Sequence, residues 1–147
     1  VLRQTIDGGR VDFVSFNAID ALEFQHDGQA ILSHPQHADK IEKLVEQCSR
    51  DSDCVIALPH WGEEYTAEVS VQQHTLAKWL IQSGADAVVG SHTHYPQHCE
   101  YYRGKPIIYS LGNLYFPNRG PKKFNDYNLL ELELQKKGKK ISVKWMP

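Results

Sequence analysis

The sequence predicts an α/β fold built on a mixed sheet, because two strand–helix–strand units are followed by consecutive strands. The first unit has a β-prone stretch at residues 11–16, an amphipathic helix at 39–48 and a short apolar strand at 54–58. In the second unit, Ser70 caps a helix that precedes another apolar strand at 87–89. We expect these strands to lie side by side in one sheet.

The remaining strands come in two pairs, each joined by a tight turn that contains glycine. The first pair is 99–102 and 106–111, and the second pair is 129–135 and 141–145. They predict an antiparallel edge on the sheet and a terminal antiparallel hairpin. Since no repeat or long linker divides the chain, we interpret it as one unit.

Composition excludes several functional classes. With 147 residues, of which 41% are hydrophobic and 23% charged, the chain is typical of a single globular domain. A net charge of -2 gives no strong field of either sign, so a nucleic-acid partner is not expected. The sequence has neither an apolar run long enough to span a bilayer nor a secretory signal pattern. Its start at Val1 predicts a processed product or a fragment of a longer protein.

The three cysteines have neither the C-x-x-C spacing of a zinc ribbon nor an even count. We interpret Cys48, Cys54 and Cys99 as buried small hydrophobic residues. A bridge between Cys48 and Cys54 stays open as an alternative for a protein that works outside the cytoplasm.

Candidate functional side chains follow three of the predicted strands. His60 ends the first, with Glu64 nearby, and His92 and His94 follow the second. Asn113 follows the third, at 107–111. In open α/β sheets ligands bind beyond the carboxyl ends of the strands, so we expect these residues on one rim.

Neutral imidazole is a common ligand of zinc, iron and manganese, so this rim is a candidate metal site. If the segment is extended, His92 and His94 point the same way and can hold two ions or share one. Trp61 either stacks on a substrate or walls the site, and residues 109–111 are expected to form a buried strand. The other histidines are expected at the surface, namely His26, His34, His37, His74 and His98.

Four blocks between about residues 53 and 116 resemble the CapA/PgsA family of poly-γ-glutamate capsule synthesis. They are H-W-G-E-E-Y from His60, Q-Q-H-T-L-A-K-W-L-I from Gln72, G-A-D-A-V-V-G-S-H-T-H from Gly84 and K-P-I-I-Y-S-L-G-N-L-Y-F from Lys105. Their order matches the family. Thr93 and Tyr95 depart from it, since Pro and Val are common at these positions.

That family is similar to a branch of the calcineurin-like metallophosphoesterases. The resemblance implies that His60, His92 and His94 are metal ligands and that Glu64 and Asn113 line the pocket as catalytic residues. It implies a divalent cofactor, Mn, Zn or Fe, as a pair in the complete domain. The implied reaction is attack of metal-activated water on a phosphoester.

The early motifs of that superfamily do not occur in these 147 residues. The resemblance therefore implies that residues 1–147 are the C-terminal half of a mixed-sheet α/β sandwich, with the N-terminal half as a partner. We expect the isolated chain to hold at most one ion and to be inactive, because two close ions need further anionic ligands.

The leading functional hypothesis is a CapA-type capsule biosynthesis protein with a metal-dependent phosphoesterase-like site. Its substrate would be phosphorylated or polyanionic, and its implied location is the cell envelope. One alternative is a non-catalytic subunit that binds polymer or a membrane synthase complex. Another is a metal-dependent amide hydrolase that cleaves poly-γ-glutamate with Glu64 as base.

Overall fold

The structure is a computed structural model that describes residues 1–19, 25–26, 29–30, 38–113, 131–137 and 140–146. The predictions for His34, His37, the start of the strand at 129 and the centre of the last turn at 138–139 lie outside these residues, as does the side chain of His26. The described elements are β1 Leu2–Ile6, β2 Gly9–Asn17, β3 Gln25–His26, β4 Gln29–Ala30, α1 Ala38–Asp51, β5 Cys54–His60, α2 Val71–Gln82, β6 Ala87–Val89, β7 Cys99–Tyr102, β8 Lys105–Ile108, β9 Glu131–Lys137 and β10 Lys140–Met146.

The central element is a six-stranded sheet in the order β1-β2-β5-β6-β8-β7. Its four inner strands are parallel, and both edge strands pair antiparallel to their neighbours. β9 and β10 form a separate antiparallel hairpin. The mixed α/β class and the terminal hairpin predicted from the sequence are confirmed.

The edge strand β1 was not predicted. It pairs with β2 across a tight turn in which Asp7 has φ 48° and Gly8 has φ 77°. Two positive φ angles in a two-residue loop are typical of hairpin turns that match the right-handed twist of strands. All five residues of β1 are exposed, so the strand shows no apolar alternation.

Both helices pack on one face of the sheet. α1 contributes Ile41, Val45 and Cys48 to this core, and α2 contributes Ala77, Leu80 and Ile81. Ser70 and the residue three positions later form a reciprocal capping box at the start of α2, which confirms the predicted cap. Among the helices of the described residues, none is long and apolar enough to cross a membrane.

The opposite face carries a second apolar cluster, and β10 lies against β5 and β8. Cys54 belongs to this cluster, whereas Cys48 belongs to the helix-side core. Cys48, Cys54 and Cys99 are all unbridged. The alternative of a Cys48–Cys54 bridge is therefore wrong for this structure, because the sheet separates the two thiols. Burial raises the pKa of Cys54 to about 12.

β8 is shorter than the predicted strand at 106–111, since it ends at Ile108. Tyr109 and Ser110 are buried as predicted, but they lie outside the ladder. The carbonyl of Tyr109 instead accepts a hydrogen bond from the indole N–H of Trp61 at 2.8 Å. The chain therefore leaves the strand early, and Leu111 makes only an isolated bridge to Pro96.

Candidate functional site

The predicted histidines lie at the carboxyl ends of β5 and β6. His60 is the last residue of β5 and forms a parallel bridge with Ser91, which follows β6. The ring centroids of His60 and His92 are 4.6 Å apart, and those of His92 and His94 are 6.3 Å apart. The structure thus brings all three imidazoles to one edge of the sheet.

The backbone that carries two of these histidines is not extended. His92 has φ 105° and His94 has φ 63°, so the expectation that they point the same way along a strand is wrong. The reason is that β6 ends at Val89 and the chain turns sharply behind it. The rings meet through this turn rather than through strand alternation.

Unusual backbone angles concentrate at this edge. Five described non-glycine residues have positive φ, and two of them, Asp7 and Arg103, lie in hairpin turns. The other three are Tyr65, His92 and His94. Such angles cost about 1–3 kcal/mol each and cluster at functional sites, so the surrounding structure must hold these residues in place.

Asn113 orients the ring of His94. The Nδ1–H of His94 donates a hydrogen bond to the side-chain oxygen of Asn113, with 2.7 Å between the two atoms. In the neutral ring the lone pair then lies on Nε2, which faces a carboxylate oxygen of Glu64 at 3.9 Å. The ring of Tyr65 stacks on the other side at a centroid distance of 5.1 Å.

The structure therefore places Glu64 and Asn113 in the same cluster as the histidines. The 3.9 Å between the carboxylate of Glu64 and Nε2 of His94 is too long for a hydrogen bond. The side-chain oxygen of Asn113 makes the hydrogen bond to His94, at Nδ1. The side chain of Glu64 is half-exposed.

Two of the imidazoles are held toward their neutral form. Desolvation lowers the pKa of both His60 and His92, and a neighbouring histidine lowers each further because two imidazolium charges repel. The charge of Glu64 opposes this effect at both rings. Neutral imidazole is the form that binds metal ions.

The donor types at this edge fit a divalent ion such as zinc, manganese or iron, since three imidazoles, a carboxylate and an amide oxygen are grouped there. Within residues 1–19 and 38–113 and the other described segments, no three His, Cys, Asp or Glu side chains are placed to hold one ion. The ligand roles of His60, His92 and His94 stay predictions.

Trp61 walls the site rather than facing a substrate. Its side chain is 2% exposed, and its ring packs on Tyr109 at 6.0 Å between centroids. The exposed aromatic residue of this edge is Tyr65, at 53%. His74 and His98 remain solvent-accessible and contact Tyr109 away from the cluster.

Sequence reasoning missed two buried amides beside the site, Gln73 and Gln97, which are 2% and 4% exposed. The spacing Ser70-x-x-Gln73 is the signal that was available, since it is typical of a capping box. That spacing marks Gln73 but says nothing of its partner Gln97, so only the tertiary structure identifies the pair.

Comparison with known proteins supplies the family. Residues 2–118 match the family model described as bacterial capsule synthesis protein PGA_cap. The chain is 35% identical over 95 residues to the PGA biosynthesis protein CapA of Bacillus subtilis, a match that covers 65% of this chain and 25% of that protein. It is 31% identical over 145 residues to the capsule biosynthesis protein CapA of Bacillus anthracis, covering 96% and 35%.

A third relative, from Mycobacterium tuberculosis, is named "Probable polyglutamine synthesis accessory protein" and is 35% identical over 77 residues, covering 52% of this chain and 20% of that protein. The chain thus spans between 20% and 35% of the length of these relatives. The four sequence blocks that suggested the CapA/PgsA resemblance lie within the matched range. This chain belongs to the PGA_cap family of bacterial capsule synthesis proteins.

Proposed function

We propose that this chain carries the histidine cluster of a metal-dependent phosphoesterase-like site in a protein of poly-γ-glutamate capsule biosynthesis at the cell envelope. The observation that carries the proposal is the grouping of three imidazoles at the ends of β5 and β6, with His94 oriented by Asn113. The names of the two Bacillus relatives support the capsule setting.

His60, His92 and His94 would hold the divalent ion, Mn, Zn or Fe, which when bound supplies an activated water and stabilises negative charge on oxygen. Asn113 keeps the lone pair of His94 on Nε2 by accepting the Nδ1–H. Tyr65 covers one face of the His94 ring and limits its rotation. Glu64, half-exposed and 3.9 Å from Nε2, would accept a proton from water.

The substrate class is phosphorylated or polyanionic. A second ion would need anionic ligands beyond the three imidazoles, and we assign these to the N-terminal half of the complete domain, which would act as a partner of this chain. A membrane synthase complex is a further proposed partner, because capsule polymer is made for the cell surface.

A non-catalytic accessory role is the second candidate, and the name of the mycobacterial relative favours it. In that case the cluster would bind polymer without cleaving it. A third candidate, cleavage of γ-glutamyl amide bonds with Glu64 as base, uses the same residues, so only the reaction product separates it from phosphoester hydrolysis.

The deciding experiment assays the complete gene product with added Mn, Zn or Fe. Phosphate release from model phosphoesters and chain length of poly-γ-glutamate are measured in parallel, for wild type and for His92→Ala. We expect phosphate release that His92→Ala lowers at least about 100-fold, as for loss of a group that supports the reacting centre. His98→Ala, at an exposed histidine outside the cluster, should leave the rate unchanged.

Each other outcome rejects the phosphoesterase proposal in a defined way. Shortened polymer without phosphate release would assign the amide hydrolase. Polymer binding without either product would assign the accessory role. Phosphate release that His92→Ala does not alter would place the chemistry outside this cluster.

A further inference from the structure

Two buried glutamine side chains connect the segments that surround the histidine cluster. Gln73, in the first turn of α2, donates a hydrogen bond from Nε2 to Oε1 of Gln97 at 2.9 Å. Gln97 donates from its own Nε2 to the carbonyl of Glu68 at 2.7 Å. Oε1 of Gln73 accepts the backbone N–H of Ser70 at 3.0 Å. We call the pair Gln73 and Gln97 the glutamine clamp.

The direction of this chain of hydrogen bonds is fixed by its two ends. The backbone N–H of Ser70 can only donate, so Gln73 must present its oxygen there and its NH₂ to Gln97. The carbonyl of Glu68 can only accept, so Gln97 must present its NH₂ to it. Both amide orientations therefore follow from the backbone groups at the two ends.

The clamp joins the two loops that carry the candidate site. Glu68 lies in the loop after β5, which also holds Glu64 and Tyr65. Gln97 ends the segment after β6 that holds His94, and its backbone N–H donates to the carbonyl of Ser110, three residues before Asn113. Gln97 thus connects the two loops through its side chain, and its backbone binds the segment that leads to the partner of His94.

A second contact between the same loops lies closer to the histidines. The backbone N–H of Tyr65 donates to the carbonyl of Thr93 at 2.8 Å, and Thr93 is fully buried. A Cβ at Gly62 would lie 2.7 Å from Nε2 of Gln73 and 2.8 Å from the methyl of Thr93, so the backbone approaches the clamp too closely for any side chain. The loop after β5, from Gly62, and the segment after β6, up to Gln97, are therefore packed against each other.

We propose that Gln73 and Gln97 are positioning residues that set the distance between the Glu64–Tyr65 loop and the His94–Asn113 pair. This inference deepens the proposed function and rests on it for the meaning of His94 as a ligand. The physical reason is that Tyr65 and His94 adopt positive φ angles, which persist only where neighbouring contacts over-determine them. Buried, fully satisfied amides provide such contacts, because breaking one leaves polar groups without partners.

The test substitutes Gln97→Met, which keeps the side-chain length and removes every hydrogen bond of the amide while the Ser70–Gln73 cap remains. The readout is the tautomer of His94 in metal-free protein at pH 8, measured from the ¹⁵N shifts of the ring. We expect the Nδ1–H form to dominate in wild type, and its ratio to the Nε2–H form to fall about tenfold in the variant, as for loss of one hydrogen bond. Affinity for Co²⁺ should fall about tenfold as well.

Val11→Ala is the matched control, because it creates a cavity in the apolar cluster on the opposite face of the sheet and lowers stability without touching the clamp. It should leave the His94 tautomer ratio unchanged. An unchanged ratio in Gln97→Met, or an equal change in Val11→Ala, would overturn the positioning role. The tautomer is measured without metal, so a failure of the hydrolase proposal would not affect this result.

A wild-type measurement decides the matter if Gln97→Met does not fold. Hydrogen exchange of the Tyr65 backbone N–H and of the Gln97 side-chain amide should show protection that agrees within about threefold, because one local opening releases both. Exchange of the Tyr65 N–H about 100-fold faster than that of the Gln97 amide would show that the loop moves independently of the clamp, and would overturn the proposal.

Discussion

The two ends of the parallel sheet use their polar side chains differently. At the amino-terminal end, acidic side chains accept hydrogen bonds from the backbone of the neighbouring strand. Asp53 accepts the backbone N–H of Arg10 at 2.8 Å, and Asp86 accepts that of Val55 at 3.0 Å. Asp86 also pairs with Lys105, with 3.0 Å between the charged atoms. Each of these charges faces a donor, so this end contributes stability.

At the carboxyl-terminal end, side chains of similar type crowd together. The rings of His60 and His92 lie 4.6 Å apart, and like-charge repulsion helps to lower the pKa of His92. His92 and His94 also hold positive φ angles. Repulsion and backbone strain both cost stability, and costs of this kind concentrate at functional sites.

The largest expected effect concerns the glycine that supports the strained end. A Cβ at Gly90 would lie 2.1 Å from the carbonyl oxygen of Tyr109 and 2.2 Å from the indole nitrogen of Trp61. Gly90→Ala should therefore lower the free energy of unfolding by about 3 kcal/mol or more, at the upper end of overpacking costs. Urea denaturation measures this loss.

Gly104→Ala is the control for that substitution. Gly104 has φ +74° but no atom within 4 Å of an added Cβ, so only backbone strain of about 1–2 kcal/mol is expected. If the two substitutions lowered the free energy of unfolding equally, close packing around Gly90 would not explain its loss.

The next largest effect is expected toward the amino-terminal end of the sheet. Asp12 is fully buried in β2, and the guanidinium of Arg3 donates a 2.7 Å hydrogen bond to each of its carboxylate oxygens. Arg3→Met should lower the free energy of unfolding measured by urea denaturation, because it leaves the buried carboxylate of Asp12 without its guanidinium partner. Arg50→Met, at an exposed pair with Glu46, should cost less than about 1 kcal/mol in the same assay.

Acid should lower the stability that the Arg3–Asp12 pair contributes. The hydrogen bonds from Arg3 lower the pKa of Asp12 from 3.8 to about 2. A lowered folded-state pKa contributes stability that is fully present above pH 3.8 and is lost as the pH falls toward 2. Denaturation curves between pH 5 and pH 2 should show a smaller acid-dependent loss in Asp12→Asn than in wild type, and identical slopes would exclude this carboxylate as the cause.

The smallest expected effect concerns the carboxyl-terminal end of the sheet. Asn113→Ala removes the acceptor for Nδ1–H of His94 and should lower the affinity of the complete gene product for Zn²⁺ about tenfold, as for other groups that orient metal-binding histidines. Competition with a zinc chelator measures it. Gln82→Ala removes a side-chain hydrogen bond to Tyr102 at the opposite end, so its affinity should equal that of wild type.

Much of this difference between the two ends follows from sequence. Apolar runs at β5 and β6 followed by His60 and His92 predicted the rim, because parallel strands deliver their carboxyl ends to one edge. The edge strand β1 escaped prediction because it has no buried face, and only the Asp7-Gly8 turn marked it. Local hydrophobic patterns indicate which residues are buried, and no residue of β1 is buried.

The details of the site required the tertiary structure. Extended alternation between His92 and His94 was the natural expectation for H-x-H, but positive φ at both residues depends on contacts from other segments. The bond from His94 to Asn113 joins residues 19 apart, and Gln73 and Gln97 are 24 apart. Such pairings have no periodicity, so a single sequence cannot show them.

We propose that the histidine cluster at the ends of β5 and β6 binds a metal ion. X-ray absorption of the zinc-loaded complete gene product tests it most directly. We predict imidazole nitrogen at about 2.0–2.1 Å from zinc, with a reduced imidazole contribution in His92→Ala. A shell made only of oxygen ligands, or a spectrum that His92→Ala leaves unchanged, would contradict the claim.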